Sequence, residues 1–254
     1  TKRVIDSMFN VGAHFGYSKS RRHPSMIDFI FGAKNKVEII DLEKTVQELE
    51  KAKDFVRTFA SEGKQILFVG DKPEAKKWIK EGAISVAMPY VAERWIGGTL
   101  TNFAEIQKRV SRLGELTEKK ERGELAIYTK KERLLLDREM DKLSKNFGGI
   151  TSMKNIPKLM FIIDPKAENN AVLEAEKEGV PIVALASSDC DISKIDYAIP
   201  ANDASSNSIK YFVDEIVQAV KEGQDKSEEV FEEVEEVKEE NNIKTNIKVD
   251  DEQK

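Results

Sequence analysis

Five short apolar runs punctuate the chain: ILFVG at 66–70, SVAMPY at 85–90, KLMFIID at 158–164, PIVALAS at 181–187 and DYAIPAND at 196–203. Most lack polar alternation, as expected for strands buried on both faces of a parallel sheet. Helices are predicted between and around them. One covers 43–62 and ends at Gly63; one covers 73–81, with Pro73 in its first turn. A third covers 168–178, closed by Gly179, and a fourth covers 206–222, closed by Gly223. This alternation predicts an α/β fold, a Rossmann-like doubly wound parallel sheet.

One connection breaks the rhythm. Residues 91–157 separate two predicted strands, too many for an ordinary crossover. Within them Ile106, Val110, Leu113 and Leu116 recur at helical spacing, followed by a charged break around Gly123. A second helical stretch carries Leu135, Leu136, Met140, Leu143 and Phe147 and stops at Gly148–Gly149. The pattern predicts an inserted antiparallel coiled-coil helical hairpin. The expected organisation is an α/β domain of 1–104 plus 150–223, a hairpin of 105–149, and an acidic tail of 224–254. Sparse apolar residues in the tail predict fraying or disorder.

Charge changes this picture. The net charge of −5 hides an asymmetry. Residues 221–254 hold 13 acids and 6 bases, whereas residues 1–36 hold 7 bases and 2 acids. The hairpin, 105–147, holds 12 bases and 9 acids. No run of about 18 apolar residues occurs, so no membrane-spanning helix is expected. The first residues show no apolar core of signal-peptide type. A single cysteine, Cys190, makes no internal disulfide. A reducing cytoplasm is the expected compartment.

Enzyme signatures are weak. VGDKPEAK at 69–76 lacks the glycines that cradle a pyrophosphate. Lys72 near a helix start offers a phosphate contact, but a surface lysine is the preferred reading. Asp164, Asp189, Asp191 and Asp203 fall near carboxyl ends of predicted strands, where metal or acid–base roles are conceivable. Helix capping and loop roles are preferred for them. Cys190 has no histidine nearby in sequence and reads as semi-buried packing. His14, in GAHFGY, reads as a hydrogen-bonded structural histidine.

Basic segments carry more. KSRRHPSM (19–26) offers Lys19, Arg21 and Arg22, and Lys34 and Lys36 flank Asn35 in a turn. These suit phosphate contact. The hairpin offers Lys108, Arg109, Arg112, Lys119, Lys120, Lys130 and Lys131, and a protruding basic arm suits RNA recognised by shape and backbone. RWIGGTLTNF (94–103) adds Arg94, Trp95 and Asn102 around Gly97–Gly98. Arg94 and Trp95 anchor a turn either against RNA or against the hairpin base. For Trp95, packing and base stacking stand equally open.

The segments GAHFGYSKSRRHPSM, FIFGAKNKVEIIDLEKT, RWIGGTLTNF, YTKKERLLLDRE, FGGITSM, IDP and IPANDAS occur in an order that resembles the bacterial-type small-subunit ribosomal protein S2 family. The resemblance spans about 8–222. It implies a non-catalytic constituent of the small ribosomal subunit that contacts rRNA through the hairpin and the α/β domain. It also implies help in holding the large mRNA-binding first small-subunit protein, in support of translation initiation. No cofactor, metal, DNA or membrane partner is expected. The chain departs from the family pattern at Tyr17, where a second histidine is common, at Ser187–Cys190, often Asp-Thr-Asn-Cys, and at Ala204, often an acid. Two other classes compete: an enzyme or sensor binding a phosphorylated ligand at the sheet edge, and an adaptor using the edge and the tail.

Overall fold

The structure, a computed structural model, describes residues 2–227. Helix α1 (Lys2–Asn10) leads into strands β1 (Phe15–Ser18), β2 (Ile30–Lys34) and β3 (Val37–Ile40). Helix α2 (Leu42–Ser61) is followed by β4 (Ile66–Val69), α3 (Pro73–Ser85) and β5 (Tyr90–Val91). Next come helices α4 (Phe103–Glu121) and α5 (Lys130–Phe147). The chain then runs through β6 (Leu159–Ile163), α6 (Asn169–Glu178), β7 (Ile182–Ala186) and β8 (Tyr197–Pro200). Residues 206–227 form helix α7.

Strands β4 to β8 form a parallel sheet in the order β5-β4-β6-β7-β8. This is a doubly wound order, with its switch point between β4 and β6. Side chains alternate across it. Ile66, Phe68, Phe161, Ile163, Val183 and Leu185 pack against α2, α3 and α7. Leu67, Val69, Met160, Ile162 and Ala184 pack against α6 and the root of α4 and α5. No helix among the described residues is long and apolar enough to cross a membrane.

The predicted strands at 66–70, 158–164, 181–187 and 196–203 all form. SVAMPY does not form one as a whole. Helix α3 continues to Ser85, Ala87 takes φ of 54°, and the strand is only Tyr90–Val91. An apolar run without periodicity does not separate a helix end from a buried strand. Gly223 does not end α7 either. A Cβ there would lie 2.6 Å from both Ala60 Cβ and Arg57 O, so this glycine lets α7 back closely onto α2. The acidic tail expected over 224–254 lies outside the described residues from 228 onward.

The N-terminal sheet, ordered β1-β3-β2, had no predicted strands. Asn35 and Lys36 both take positive φ, 52° and 69°, in the two-residue turn between β2 and β3. Such a turn matches the twist of a hairpin. The sheet is tied to the far end of the chain. Tyr17 N donates to Ser188 Oγ at 2.8 Å, His23 N to Ser188 O at 2.9 Å, and Asn202 N to Ala13 O at 2.9 Å.

Helices α4 and α5 pack side by side through Ile106, Leu113, Leu116, Leu143 and Phe147. Their cross-helix ion pairs, Arg112–Glu139 and Lys120–Asp137, run in opposite sequence order, so the two helices are antiparallel. Thr129 and Glu132 form a reciprocal capping box at the start of α5.

Candidate functional site

At the carboxyl edge of the sheet, the chain turns at Gly70 into α3 and at Asp164 toward α6. Gly70 has no room for a Cβ, which would meet Ile79, Ile163 and Ala75 at 3.1 to 3.4 Å. Lys72, read from sequence as a surface lysine, points inward instead. Its ammonium pairs with Asp164 and lies 3.2 Å from Asp203 Oδ2. Burial works against its charge, but Asp203 and Asp164 outweigh this and hold its pKa above the ordinary lysine range.

The four acids of this edge separate in role. Asp164 serves the turn before α6 rather than capping the helix itself, whose N-cap is Glu168: it accepts from Lys166 N and Ala167 N at 3.2 Å each, and it also takes the Lys72 charge. Asp191 serves its own loop through Ser193. Asp189 pairs with Lys166 at 2.7 Å. Asp203 is the correction. It is completely buried, and the cation that its carboxylate meets among the described residues is the Lys72 ammonium, 3.2 Å from Oδ2. Burial, then the charge of Asp164, pushes its pKa up to about 7 against the pull of Lys72.

Cys190 is fully rather than partly buried, with Sγ 3.6 Å from Asp164 Oδ1. Burial, reinforced by Asp164, raises its thiol pKa, so the thiolate form is disfavoured. Asp164, Cys190 and Asp203 together offer ligand atoms within 4.8 Å of one another. The Lys72 ammonium already supplies a cation to both carboxylates. His14 is also corrected: its ring stacks on Phe9 at 4.3 Å between centroids and lies tilted against Phe15 at 4.0 Å, and Nδ1 has no hydrogen-bond partner among the described residues.

RWIGGTLTNF resolves one alternative. Trp95 is 6% exposed and packs into the root of α4 and α5, so its ring is spent on the protein's own core. Its indole N–H donates to Glu174 Oε1 at 3.0 Å. The same carboxylate accepts from Gly98 N at 2.8 Å, Leu100 N at 2.9 Å, Thr101 N at 3.3 Å and Thr101 Oγ1 at 3.4 Å. Burial disfavours the Glu174 charge, yet these donors prevail and hold its pKa below the usual range. Sequence reading missed Glu174. The available signal was an acid beside Ala171 and Ala175 on the apolar stripe of α6.

The basic residues fall into two groups. Lys19, Arg21, Lys34 and Lys36 are exposed around the N-terminal sheet. Arg22 is partly withdrawn, with its guanidinium 3.1 Å from Glu38, an acid 1% exposed. In the helical pair, Lys108, Arg112 and Lys120 are engaged by Glu105, Glu139 and Asp137. Arg109, Lys119, Lys130 and Lys131 have no carboxylate partner among the described residues, nor does Arg94. Asn102 is exposed and makes no side-chain cap to α4.

These features define a class: a doubly wound α/β protein whose ligand edge holds its own ion cluster of Lys72, Asp164 and Asp203. The family model for ribosomal protein S2 matches residues 8–223. The chain belongs to that family, whose members are structural constituents of the small ribosomal subunit rather than enzymes.

Proposed function

We propose that this protein is a cytoplasmic small-subunit constituent that binds small-subunit rRNA. It further helps hold the large mRNA-binding first small-subunit protein and so supports translation initiation. In this reading, helices α4 and α5 form a coiled-coil arm on an α/β domain of 1–104 plus 150–223.

One observation carries the RNA reading: the arm and the N-terminal sheet both present exposed bases that have no carboxylate partner among the described residues. The exposed Arg109, Lys130 and Lys131 and the half-buried Lys119 on the arm, with exposed Lys19, Arg21, Lys34 and Lys36, are the assigned phosphate contacts. Arg94 and Asn102 join them at the arm's root. Lys108, Arg112 and Lys120 contribute by exchanging their local carboxylates for phosphate, and Arg22 contributes only its exposed edge.

The competing enzyme or sensor reading loses its site. A phosphorylated ligand at the β4–β6 switch point needs open N–H groups and a free lysine. Here Asp71 N donates to Glu168 and Lys72 is held by Asp164 and Asp203. The test compares the full chain with a variant lacking 105–147. Co-sedimentation with small ribosomal subunits is expected to depend on the arm and to weaken with salt. A full chain that never sediments with subunits overturns the proposal.

A further inference from the structure

The geometry points to Glu174 as the positioning residue that sets the direction in which α4 and α5 leave the α/β domain. This rests on the reading of that helical pair as the rRNA-contacting arm.

Glu174 belongs to α6, whose Ala171, Val172 and Ala175 are buried against the sheet. Its carboxylate therefore has a fixed origin. It reaches the 95–101 segment, which enters neither sheet and has few backbone partners of its own. Buried N–H groups must be paired. Five donors on four residues converge on this one side chain.

The donors lie on both sides of a bend. Trp95 precedes Gly98, which takes φ of 90°, a conformation suited to glycine. Leu100 and Thr101 follow it, directly before α4 starts at Phe103. Trp95 packs into the cluster that also holds Ile106 and Phe147 from the two arm helices. A single carboxylate thus grips the root of the arm and the last turn before it.

The consequence is leverage. The 19 residues of α4 make an arm about 28 Å long at 1.5 Å per residue. A rotation of about 10° at its root moves the tip by about 5 Å. Phosphate contacts made by charged side chains tolerate little of that displacement. Replacing the carboxylate with an amide puts an NH2 group against backbone donors and removes acceptor capacity.

The test uses paired spin labels on the full chain, at Glu124→Cys near the arm tip and Lys51→Cys on α2, with buried Cys190 left in place. The expected result is one narrow distance distribution. Glu174→Gln should broaden it or shift it by about 5 Å, the lever displacement above. Glu176→Gln, on the same helix and paired among the described residues with Lys194 alone, should leave it unchanged. A Glu174→Gln distribution that superposes on the unaltered one overturns the assignment.

Amide exchange in the unaltered chain is independent of how well the variant folds. Gly98 and Leu100 should exchange as slowly as the amides of β6. Exchange at loop rates overturns the assignment. Loss of subunit binding in the 105–147 deletion supports the rRNA reading separately. If that deletion binds normally while Glu174→Gln still moves the tip, the rRNA reading falls and the positioning role stands.

Discussion

Lys72 Nζ lies 3.2 Å from Asp203 Oδ2, at the edge where a doubly wound sheet ordinarily opens to a ligand. The lysine comes from the start of α3 and the aspartate from the loop before α7. Together with Asp164 they join three crossings of the sheet through one cation. Lys72→Met leaves two buried carboxylates without it. The expected loss is about 3–5 kcal/mol, the usual cost of breaking a buried pair from one side. Urea unfolding should show a lower midpoint with an unchanged slope. Adding Asp203→Asn should recover part of the loss, because it removes the unpaired charge.

The same cluster predicts a pH dependence. Asp203 is pushed up to about 7 by burial and then by Asp164; Glu168 is pushed up to about 7 by burial and then by Asp71. The folded state therefore holds protons that the unfolded chain has released. This contribution to stability is fully present below about pH 4, near the unfolded carboxylate values. It is lost as pH rises through about 7. Unfolding measured from pH 5 to 8 should show a downward slope that flattens in Asp203→Asn. An unaltered slope in that variant would remove Asp203 from the account.

Arg21 and Arg22 are adjacent but should behave differently. Arg22→Ala strands the buried Glu38 carboxylate and should cost about 2 kcal/mol of stability, discounted because the arginine is partly in water. Arg21→Ala should leave the melting temperature in place and lower subunit binding at moderate salt. Thermal melts and sedimentation, run on both variants, separate the two.

Lys130 and Lys131 are exposed in the first turn of α5. Reversing both to Glu should lower subunit binding and reduce the salt slope by about two, one for each phosphate left without its lysine. Stability should barely change. A salt slope equal to that of the unaltered chain would take both lysines off the RNA-facing surface.

Gly149 tests the joint between arm and sheet. A Cβ there would lie 2.2 Å from Tyr90 O and 2.8 Å from the Tyr90 ring. Gly149→Ala should destabilise the chain by about 1–3 kcal/mol through overpacking. Amide protection should fall first at β5 and at the end of α5.

The parallel strands were legible because unbroken apolar runs such as 158–164 have one economical placement, between two helical layers. Helix α4 was legible from the spacing of Ile106, Val110 and Leu113. The N-terminal sheet was not, because its short strands are fastened by Ser188 and Asn202, far along the chain. Lys72 was misread for a related reason: its partners, Asp164 and Asp203, are separated from it by more than 90 residues. Glu174 left only a faint trace, an acid on an apolar stripe. Charge counts also overstated the arm, since Lys108, Arg112 and Lys120 are balanced by neighbouring acids that a linear count does not pair with them.

The bond from Tyr17 N to Ser188 Oγ has a consequence for the order of events during synthesis. Strands β1 to β3 are made well before the groups that fasten their sheet, which arrive about 171 residues later. At 5–20 residues per second that interval is about 10–35 s. Throughout it, the nascent N-terminal strands lack their anchor, and the exposed Phe15 and Phe31 rings are available to chaperones. Closure of this sheet is a late step in the chain's own making.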